Sequence, residues 1–200
     1  MTAVRSASTR RMPRAQRREQ ILAAATRAFA RAGFAATGLD AIAAEAGVTP
    51  VILYRHFASK ADLYREVLES ANARLVAATG TDDFDDASIP ALIRAATADP
   101  DAFRLLFRYA AREPEFRDMI DTLVDRGTEV TRRHLAGIAS DRWRSWAARL
   151  LPTLTTDAVI AWLDAGQPDP EQAAIRIRGI VDAVIQAAAA RTNGETHARH

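Results

Sequence analysis

The apolar positions near the start of the chain recur with the period of an α-helix. From Arg14 onwards, Ile21, Ala25 and Phe29 follow one another at intervals of four, and arginines occupy the other faces. This stripe predicts an amphipathic helix that packs its apolar side against a core. We expect the helix to end at Gly33, because glycine tolerates the left-handed conformation that closes many helices.

A second, shorter helix is predicted in "TGLDAIAAEAG". Thr37 and Asp40 have the spacing of a capping box, so Thr37 is the expected N-cap. Leu39 and Ile42 form the apolar face, and Gly47 closes the element. The helix is expected to run for about two turns.

The next stretch, "GVTPVILYRHFASK", contains β-branched residues that by propensity alone would suit a buried strand. Pro50 favours an extended Thr49, which is the geometry of an N-cap, and proline is itself tolerated at the first helical position. We therefore predict a third helix, with Leu53 and Phe57 packed inward. The side chains left outside are Val51, Ile52, Arg55 and His56.

A fourth helix follows, because Ser59 and Asp62 repeat the capping-box spacing before "KADLYREVLESANARLVAA". Two short helices joined by a glycine-containing turn, the second with exposed basic and apolar side chains, predict a helix-turn-helix that reads the DNA major groove. Arg55 suits a guanine edge or a phosphate, whereas Val51 and Ile52 can touch only thymine methyls. The alternative is a small helical subdomain without a ligand.

Phosphates are the expected partners of the hydroxyl, imidazole and ammonium groups of this segment. Lys60 also lies at a helix N-terminus, where backbone amides add positive field. The complete set of predicted DNA contacts is Thr37, Thr49, Pro50, Val51, Ile52, Tyr54, Arg55, His56 and Lys60.

The remainder of the chain predicts further helices. One begins at Asp99 or Pro100 and another at Pro114. The last two helices have broad apolar stripes that suit pairing with a second copy as a four-helix bundle. The alternative is that both stripes face the protomer's own core. The predicted dimer-interface residues are Leu150, Leu154, Ala158, Trp162, Ile177, Val181, Val184 and Ala188.

Composition favours an all-α protein. The helices predicted along the chain add to this an N-terminal three-helix domain with the helix-turn-helix and a C-terminal helical bundle, about nine helices in total. The chain has 48% apolar residues and no cysteine, which excludes disulfides and thiolate metal sites. No signal peptide or membrane-spanning run is visible, so we expect no membrane partner and a cytoplasmic location.

Charge is uneven along the chain. Residues 1–70 carry ten Arg and one Lys against six acids, a net +5, whereas residues 71–200 carry sixteen Arg against nineteen acids, a net −3. The basic end is the nucleic-acid candidate. Residues 1–13 are predicted to be a disordered basic arm, with DNA contact by that arm as the alternative, and residues 192–200 are predicted to be a disordered tail.

The segment "TGLDAIAAEAGVTPVILYRHFASKADLYREVL" resembles the DNA-binding domain of TetR-type transcriptional regulators, with a match from about Arg17 to Leu68. The resemblance implies a homodimer whose third helix enters the major groove, with Tyr54 and Lys60 at the DNA backbone. Gly38, where the family usually has Thr or Ser, and the unusual Pro50 and Ile52 are departures that change the expected operator sequence.

The same resemblance implies that residues 14–70 bind DNA and that residues 71–191 bind a ligand and dimerise. The expected partners are a double-stranded operator, a second copy of the chain and an unidentified small-molecule effector, and no cofactor or metal is expected. Arg112 and Arg108 are possible partners for an anion. The candidate pocket residues are Phe103, Phe107, Arg108, Tyr109, Met119, Trp143 and Trp146.

The predicted function is therefore that of a sequence-specific regulator, most simply a repressor released from a two-fold operator by a ligand. A general DNA-binding protein without ligand control is one alternative, distinguished by the absence of sequence preference. A small enzyme is the other. The four histidines have no metal-ligand spacing, and the sequence has no nucleophile elbow and no glycine-rich phosphate loop.

Overall fold

The computed structural model describes residues 12–80 and 87–190, which form nine α-helices and, within those ranges, no strand. This confirms the all-α prediction. Residues 1–11 of the predicted arm and the whole predicted tail lie outside the described residues. The helices are α1 Arg14–Ala36, α2 Leu39–Glu45, α3 Pro50–Tyr54, α4 Lys60–Thr79, α5 Ser88–Ala98, α6 Pro100–Arg104, α7 Arg117–His134, α8 Asp141–Asp164 and α9 Pro170–Ala189.

The chain divides into two compact units between Val67 and Leu68, within α4. The core of the first unit contains the predicted α1 stripe, with Ile21 and Phe29 both fully buried. The ring of Tyr64 packs edge-on against that of Phe29, with centroids 4.8 Å apart. This core fixes the first four helices on one another and so sets the position of α3.

Several helix boundaries of the first unit lie where local signals in the sequence predict them. Gly33 interrupts α1 with a positive φ of 77°, and Thr49 is extended before Pro50. The hydroxyl of Ser59 accepts a hydrogen bond from the amide of Asp62, while the Asp62 carboxylate accepts one from the amide of Ala58. The predicted cap of α4 is therefore confirmed.

The second unit begins its middle helices at polar caps and then departs from regular geometry. Asp99 accepts a hydrogen bond from the amide of Ala102, which starts α6 as predicted. A π-helical turn, Leu105–Tyr109, and two 3₁₀ turns, Ala110–Arg112 and Pro114–Phe116, follow before α7. Single π-helical turns in helical proteins often mark functional positions.

Helices α8 and α9 pack together in the core of the second unit, and no described helix has the length and hydropathy needed to span a bilayer. Trp162 is 8% exposed, and its indole N–H donates to the carbonyl of Pro168 in the α8–α9 turn. The stripes chosen as a dimer interface thus largely face the protomer's own core, which was the alternative. The correction applies to Trp162, Ile177, Val181 and Ala188, which are buried within the protomer, whereas Leu150, Leu154, Ala158 and Val184 are partly exposed.

Candidate nucleic-acid interface and internal cavity

The turn between α2 and α3 is closed by two backbone hydrogen bonds around Gly47. The amide of Val48 donates to the carbonyl of Ala43 at 2.9 Å, and the amide of Gly47 donates to the carbonyl of Ala44 at 3.1 Å. This pair of bonds, with a positive φ of 62° at Gly47, is the Schellman arrangement that ends helices at glycine. The turn therefore sets the direction in which α3 leaves α2.

Helix α3 has one buried side and one exposed side. Leu53 is fully buried and Phe57, just after the helix, is 1% exposed, as predicted. Val51 and Tyr54 are 62% and 57% exposed. We call the exposed residues of this segment the reading face, which consists of Thr49, Pro50, Val51, Tyr54 and Arg55.

Arg18 of α1 contacts the segment that follows α3. Its guanidinium donates to the carbonyl of His56 at 2.9 Å, pairs with the Glu66 carboxylate, and lies 4.5 Å from the centre of the Phe57 ring. One side chain of α1 therefore contacts the segment after α3, at His56 and at the buried Phe57, and also helix α4. Although Arg18 belongs to the basic run before Glu19, its contacts give it a structural role.

Lys60 is also engaged within the protein. Its ammonium donates to the carbonyls of Phe34 and Ala35 at 2.9 and 3.3 Å and lies 4.5 Å from the centre of the Phe34 ring. An ammonium group has three donors, so one remains for a phosphate. The predicted DNA contact of Lys60 stays a prediction, alongside its observed role at the end of α1.

Thr37 does not cap α2. Its side chain is 4% exposed, and its hydroxyl donates to the carbonyls of Gly33 and Ala28 at 2.6 and 3.3 Å. The N-cap is Gly38, which makes no side-chain bond. The prediction of Thr37 as the cap is wrong, because its hydroxyl satisfies the end of α1 instead. The buried hydroxyl is also withdrawn from the surface that would meet DNA.

A basic cleft lies beside the reading face. His56 forms part of its wall, and the pKa of that imidazole is lowered first by burial and then by the positive charges of Arg14, Arg18 and Arg17. Its Nδ1 atom is buried without a hydrogen-bond partner, so the ring is neutral at neutral pH. The cleft is lined by Met12, Pro13, Arg14, Arg17, Ile52, Arg55 and His56.

Arg14 and Arg17 are the charged members of this cleft that the predicted contact set omits. Arg14 is exposed, while Arg17 is half-buried and donates to the side-chain oxygen of Gln20 at 3.0 Å. The run of arginines before the first acid was the available signal, but a basic run does not reveal which of its members face α3.

The second unit contains a mainly apolar cavity of about 240 Å³. Phe107, from the π-helical turn, contributes one wall, and Leu75 and Leu92 contribute others. Its lining residues, which define the apolar cavity below, are Asn72, Leu75, Val76, Thr79, Gly80, Ser88, Leu92, Phe107, Leu123, Val124, Arg126, Gly127, Val130, Thr131, Pro152, Thr153, Thr155 and Thr156.

Of the candidate pocket residues, Phe107 alone is on this wall. Phe103 is 3% exposed in the core, and Arg108 pairs with Asp164 at 2.8 Å. Trp143 and Trp146 are 46% and 41% exposed and pack edge to face on α8. Tyr109 and Met119 are half-buried and Arg112 is exposed, and none of the three lines the cavity. The predicted pocket residues are mainly aromatic, whereas Phe107 is the one aromatic residue among the described residues of the wall.

The Arg108 and Asp164 charges belong to a surface network. Arg104 also donates to Asp164, at 3.0 Å. The hydrogen bond from Arg108 is the main reason that the pKa of the Asp164 carboxyl is lowered, with Arg104 second. The guanidinium of Arg108 thus has a partner in the protein, and Arg108 does not line the apolar cavity, so its predicted place in the pocket is corrected.

A shallow apolar groove lies on the outside of α8 and α9. Ile180 is 43% exposed there, beside Trp146. We call this the outer face, lined by Trp146, Arg176, Gly179, Ile180, Ala183, Val184 and Ala187.

Comparison with known proteins identifies the family to which this chain belongs. The model of "Bacterial regulatory proteins, tetR family" matches residues 21–67. The chain is 30% identical to the HTH-type transcriptional activator FasR of Mycolicibacterium smegmatis over 177 residues, covering 82% of this chain and 80% of FasR. The chain belongs to the tetR family. As a tetR-family protein it is a DNA-binding transcriptional regulator.

Two further similarities concern part of the sequence and the fold. The chain is 35% identical to the HTH-type transcriptional repressor SCO4008 of Streptomyces coelicolor over 89 residues, 44% of this chain and 46% of that protein. A TetR-like transcriptional regulator from Rhodococcus sp. RHA1 superposes with a TM-score of 0.77 and 22% identity, over 90% of this chain and 100% of that one. The tetR-family model covers all of α2 and α3 and hence the reading face.

Proposed function

We propose that this tetR-family protein acts as a homodimer that binds a two-fold operator in the cytoplasm and is released by a small molecule bound in the apolar cavity. The observation that carries the proposal is the reading face. An exposed valine and an exposed tyrosine on a short helix, anchored from behind by buried residues, have no use in a core. Major-groove reading explains both the exposure and the rigid support.

Base reading is assigned to Arg55 and Val51. Arg55 is exposed at the end of α3 and has the donors that a guanine edge accepts. Val51 makes apolar contact with a thymine methyl. Thr49, Tyr54 and the arginines of the basic cleft contact phosphates, which fixes the register of the protein on DNA without specifying sequence. Thr37 is left out of this set because its hydroxyl is buried.

Dimerisation is assigned to the outer face. The groove beside Trp146 is apolar and centred on small residues of α9, which allow close helix approach. An isologous dimer built on this face has two reading faces, and such dimers bind half-sites about 34–36 Å apart or multiples of that distance. Ile180→Asp places a charge in this face, and we expect a monomer by light scattering with operator affinity reduced about a hundredfold or more. Ala189→Asp, at the exposed end of α9 outside the outer face, is the control.

Repression is proposed because a dimer that occupies an operator excludes other proteins from the same DNA. FasR is named an activator and SCO4008 a repressor, so relatives of both kinds exist. A reporter gene behind the selected operator separates the two outcomes. Higher expression after deletion of the regulator supports repression, and lower expression supports activation.

Selection of random duplex DNA by the purified protein at near-physiological salt tests the DNA-binding part. An inverted repeat among the retained sequences supports a dimeric specific regulator, whereas retention without a motif supports general DNA binding. Arg55→Ala is expected to relax the preference at one position of each half-site. Arg94→Ala, which removes the same charge from an exposed position of α5, is the matched control and should leave the motif unchanged.

A further inference from the structure

The walls of the apolar cavity are less polar than their residue types suggest. Four threonines on the wall have hydroxyls that donate to the carbonyl four residues earlier in the same helix, at distances of 2.7 to 3.1 Å. A hydroxyl bonded in this way needs no partner in the cavity. These threonines are Thr79, Thr131, Thr155 and Thr156.

Asn72 is different. It lies on α4 and lines the cavity, yet its carboxamide oxygen is shielded from solvent and accepts no hydrogen bond in the structure. Buried polar atoms without a partner are rare in native proteins and call for an explanation. The terminal torsion of an asparagine is broad, so the carboxamide can turn its oxygen towards a group that enters the cavity.

Charge is confined to the edge of the wall. Among the described residues that line the cavity, Arg126 is the one ionisable residue, and its side chain is exposed. An anion placed against the aliphatic wall would lose its hydration without gaining a buried counter-charge, which is strongly unfavourable. The lining therefore selects against a charged group deep in the cavity.

We infer that the ligand of this cavity is an uncharged, mainly apolar molecule with one hydrogen-bond donor, a hydroxyl or an amide N–H, that meets the Asn72 carboxamide oxygen. This inference rests on the proposed function, since it names the class of molecule that the regulator would detect. The apolar body fills the space beside Phe107 and Leu92, and the donor satisfies the acceptor that the protein leaves without a partner.

Three probes with one ring system test the inference on the full chain without DNA. 2-Naphthol has a donor, 2-methoxynaphthalene has only an acceptor, and 2-naphthoate is an anion. Binding is measured by equilibrium dialysis to the wild type, to Asn72→Leu and to Gly127→Leu. Leucine at position 72 keeps the approximate size of asparagine without its acceptor, and a side chain at position 127 extends from the cavity wall.

The expected result is that the wild type binds 2-naphthol about tenfold more tightly than 2-methoxynaphthalene, the difference that one buried hydrogen bond makes. Asn72→Leu should bind the two equally, and Gly127→Leu should bind neither. Equal binding to the wild type, a preference for 2-methoxynaphthalene or 2-naphthoate, or full binding to Gly127→Leu would overturn the inference while leaving the cavity's regulatory role open. No binding of any probe would overturn the inference together with the ligand part of the proposed function.

Thermal unfolding separates these outcomes from misfolding. In the absence of probes, Asn72→Leu should melt at or above the wild-type temperature, because it removes a buried acceptor without a partner. Only the wild type should gain more in melting temperature from 2-naphthol than from 2-methoxynaphthalene. A lower melting temperature for unliganded Asn72→Leu would show that the carboxamide is satisfied within the protein, and this too would overturn the inference.

Discussion

Several polar side chains of the first unit and the Asn72 carboxamide beside the apolar cavity have different surroundings. In the first unit Arg18, Lys60 and Thr37 each donate to backbone carbonyls, and Gln20 donates to the carbonyl of Ala46 at 2.7 Å. In the second unit the carboxamide oxygen of Asn72 has no partner. His56 Nδ1 in the first unit also lacks a partner, but it lies in the wall of the basic cleft, outside the contacts that support α3. The comparison indicates that these contacts hold the reading face in one geometry, whereas the cavity has bonding capacity that a ligand can use.

The backbone is also more regular at the helix ends of the first unit than in the middle of the second unit. The helices of the first unit end at defined capping arrangements, including the pair of bonds around Gly47. The middle of the second unit instead has a π-helical turn that carries Phe107 to the cavity wall. A π-helical turn is a local departure from the regular ladder and is often associated with function. A rigidly supported reading face and an apolar cavity with an acceptor that lacks a partner suit the proposed function, in which ligand binding changes DNA binding.

The largest expected effect separates the two sides of α3. Leu53→Ala removes a fully buried anchor and should lower the free energy of unfolding by about 2–5 kcal/mol. Val51→Ala, on the 62% exposed side, should change it by less than about 0.5 kcal/mol. Urea unfolding measures both. If Val51→Ala were as destabilising as Leu53→Ala, the assignment of an exposed reading face would be wrong.

Val51→Ala, which should leave stability nearly unchanged, should alter DNA binding. Replacement of thymine by deoxyuracil in the selected operator removes only the 5-methyl group, and we expect weaker binding at the position that Val51 contacts. Val51→Ala should no longer distinguish the two bases there. An operator insensitive to this replacement at every position would contradict the methyl contact.

The next effect distinguishes two neighbouring arginines. Arg18→Ala loses its bonds to His56 and Glu66 and should lower the free energy of unfolding by about 1–3 kcal/mol. Arg17→Ala should leave unfolding nearly unchanged and weaken binding to all DNA sequences alike, with a smaller salt dependence. Equal effects of the two substitutions on stability would remove the distinction between a structural and a DNA-facing arginine.

A smaller effect concerns His56 and pH. Its pKa in the folded protein is lowered by burial and by nearby arginines, so the unfolded chain takes up a proton first as the pH falls. Wild-type stability should therefore decrease relative to His56→Gln as the pH drops below the ordinary histidine value of 6.5, and the two should show parallel stability above it. Denaturant unfolding at several pH values measures the difference. A wild type that gains stability on acidification relative to the variant would contradict the buried, neutral imidazole.

The smallest effect lies in the cavity wall. Gly127 is within α7, and a Cβ there would contact the Cβ of Pro152 at an ordinary 3.8 Å. Gly127→Ala should therefore raise the free energy of unfolding by about 0.5–1 kcal/mol through helix propensity. Thermal unfolding checks the sign, and a loss of stability would show that the α7–α8 contact is tighter than the structure indicates.

Helix starts and ends were predictable because they depend on neighbouring residues. The Thr49-Pro50 start, the Ser59–Asp62 cap and the glycine ends at Gly33 and Gly47 all have local causes. The DNA-binding segment followed from the same signals and from the exposed pattern of α3, which a helical wheel reveals without tertiary information.

Tertiary choices were harder to predict. A helix stripe shows that a face is buried but not which partner buries it, so Ile177 and Val181 were assigned to a dimer although they lie in the protomer's core. The hydroxyl of Thr37 could accept from an amide at the start of α2 or donate to a carbonyl at the end of α1. In the structure it donates to the carbonyl of Gly33 in α1. The described part of the cavity wall comes from four α-helices and the π-helical turn, so no local pattern pointed to Asn72.

The most direct test of the central claim is hydrogen–deuterium exchange of the full chain with its selected operator and with an unrelated duplex of equal length. We predict that the operator slows exchange most in peptides covering residues 49–56 and 12–17, the reading face and the basic cleft. The unrelated duplex should protect residues 12–17 more than residues 49–56, because phosphate contacts do not depend on sequence. Operator-specific protection elsewhere, with residues 49–56 unchanged, would contradict the account.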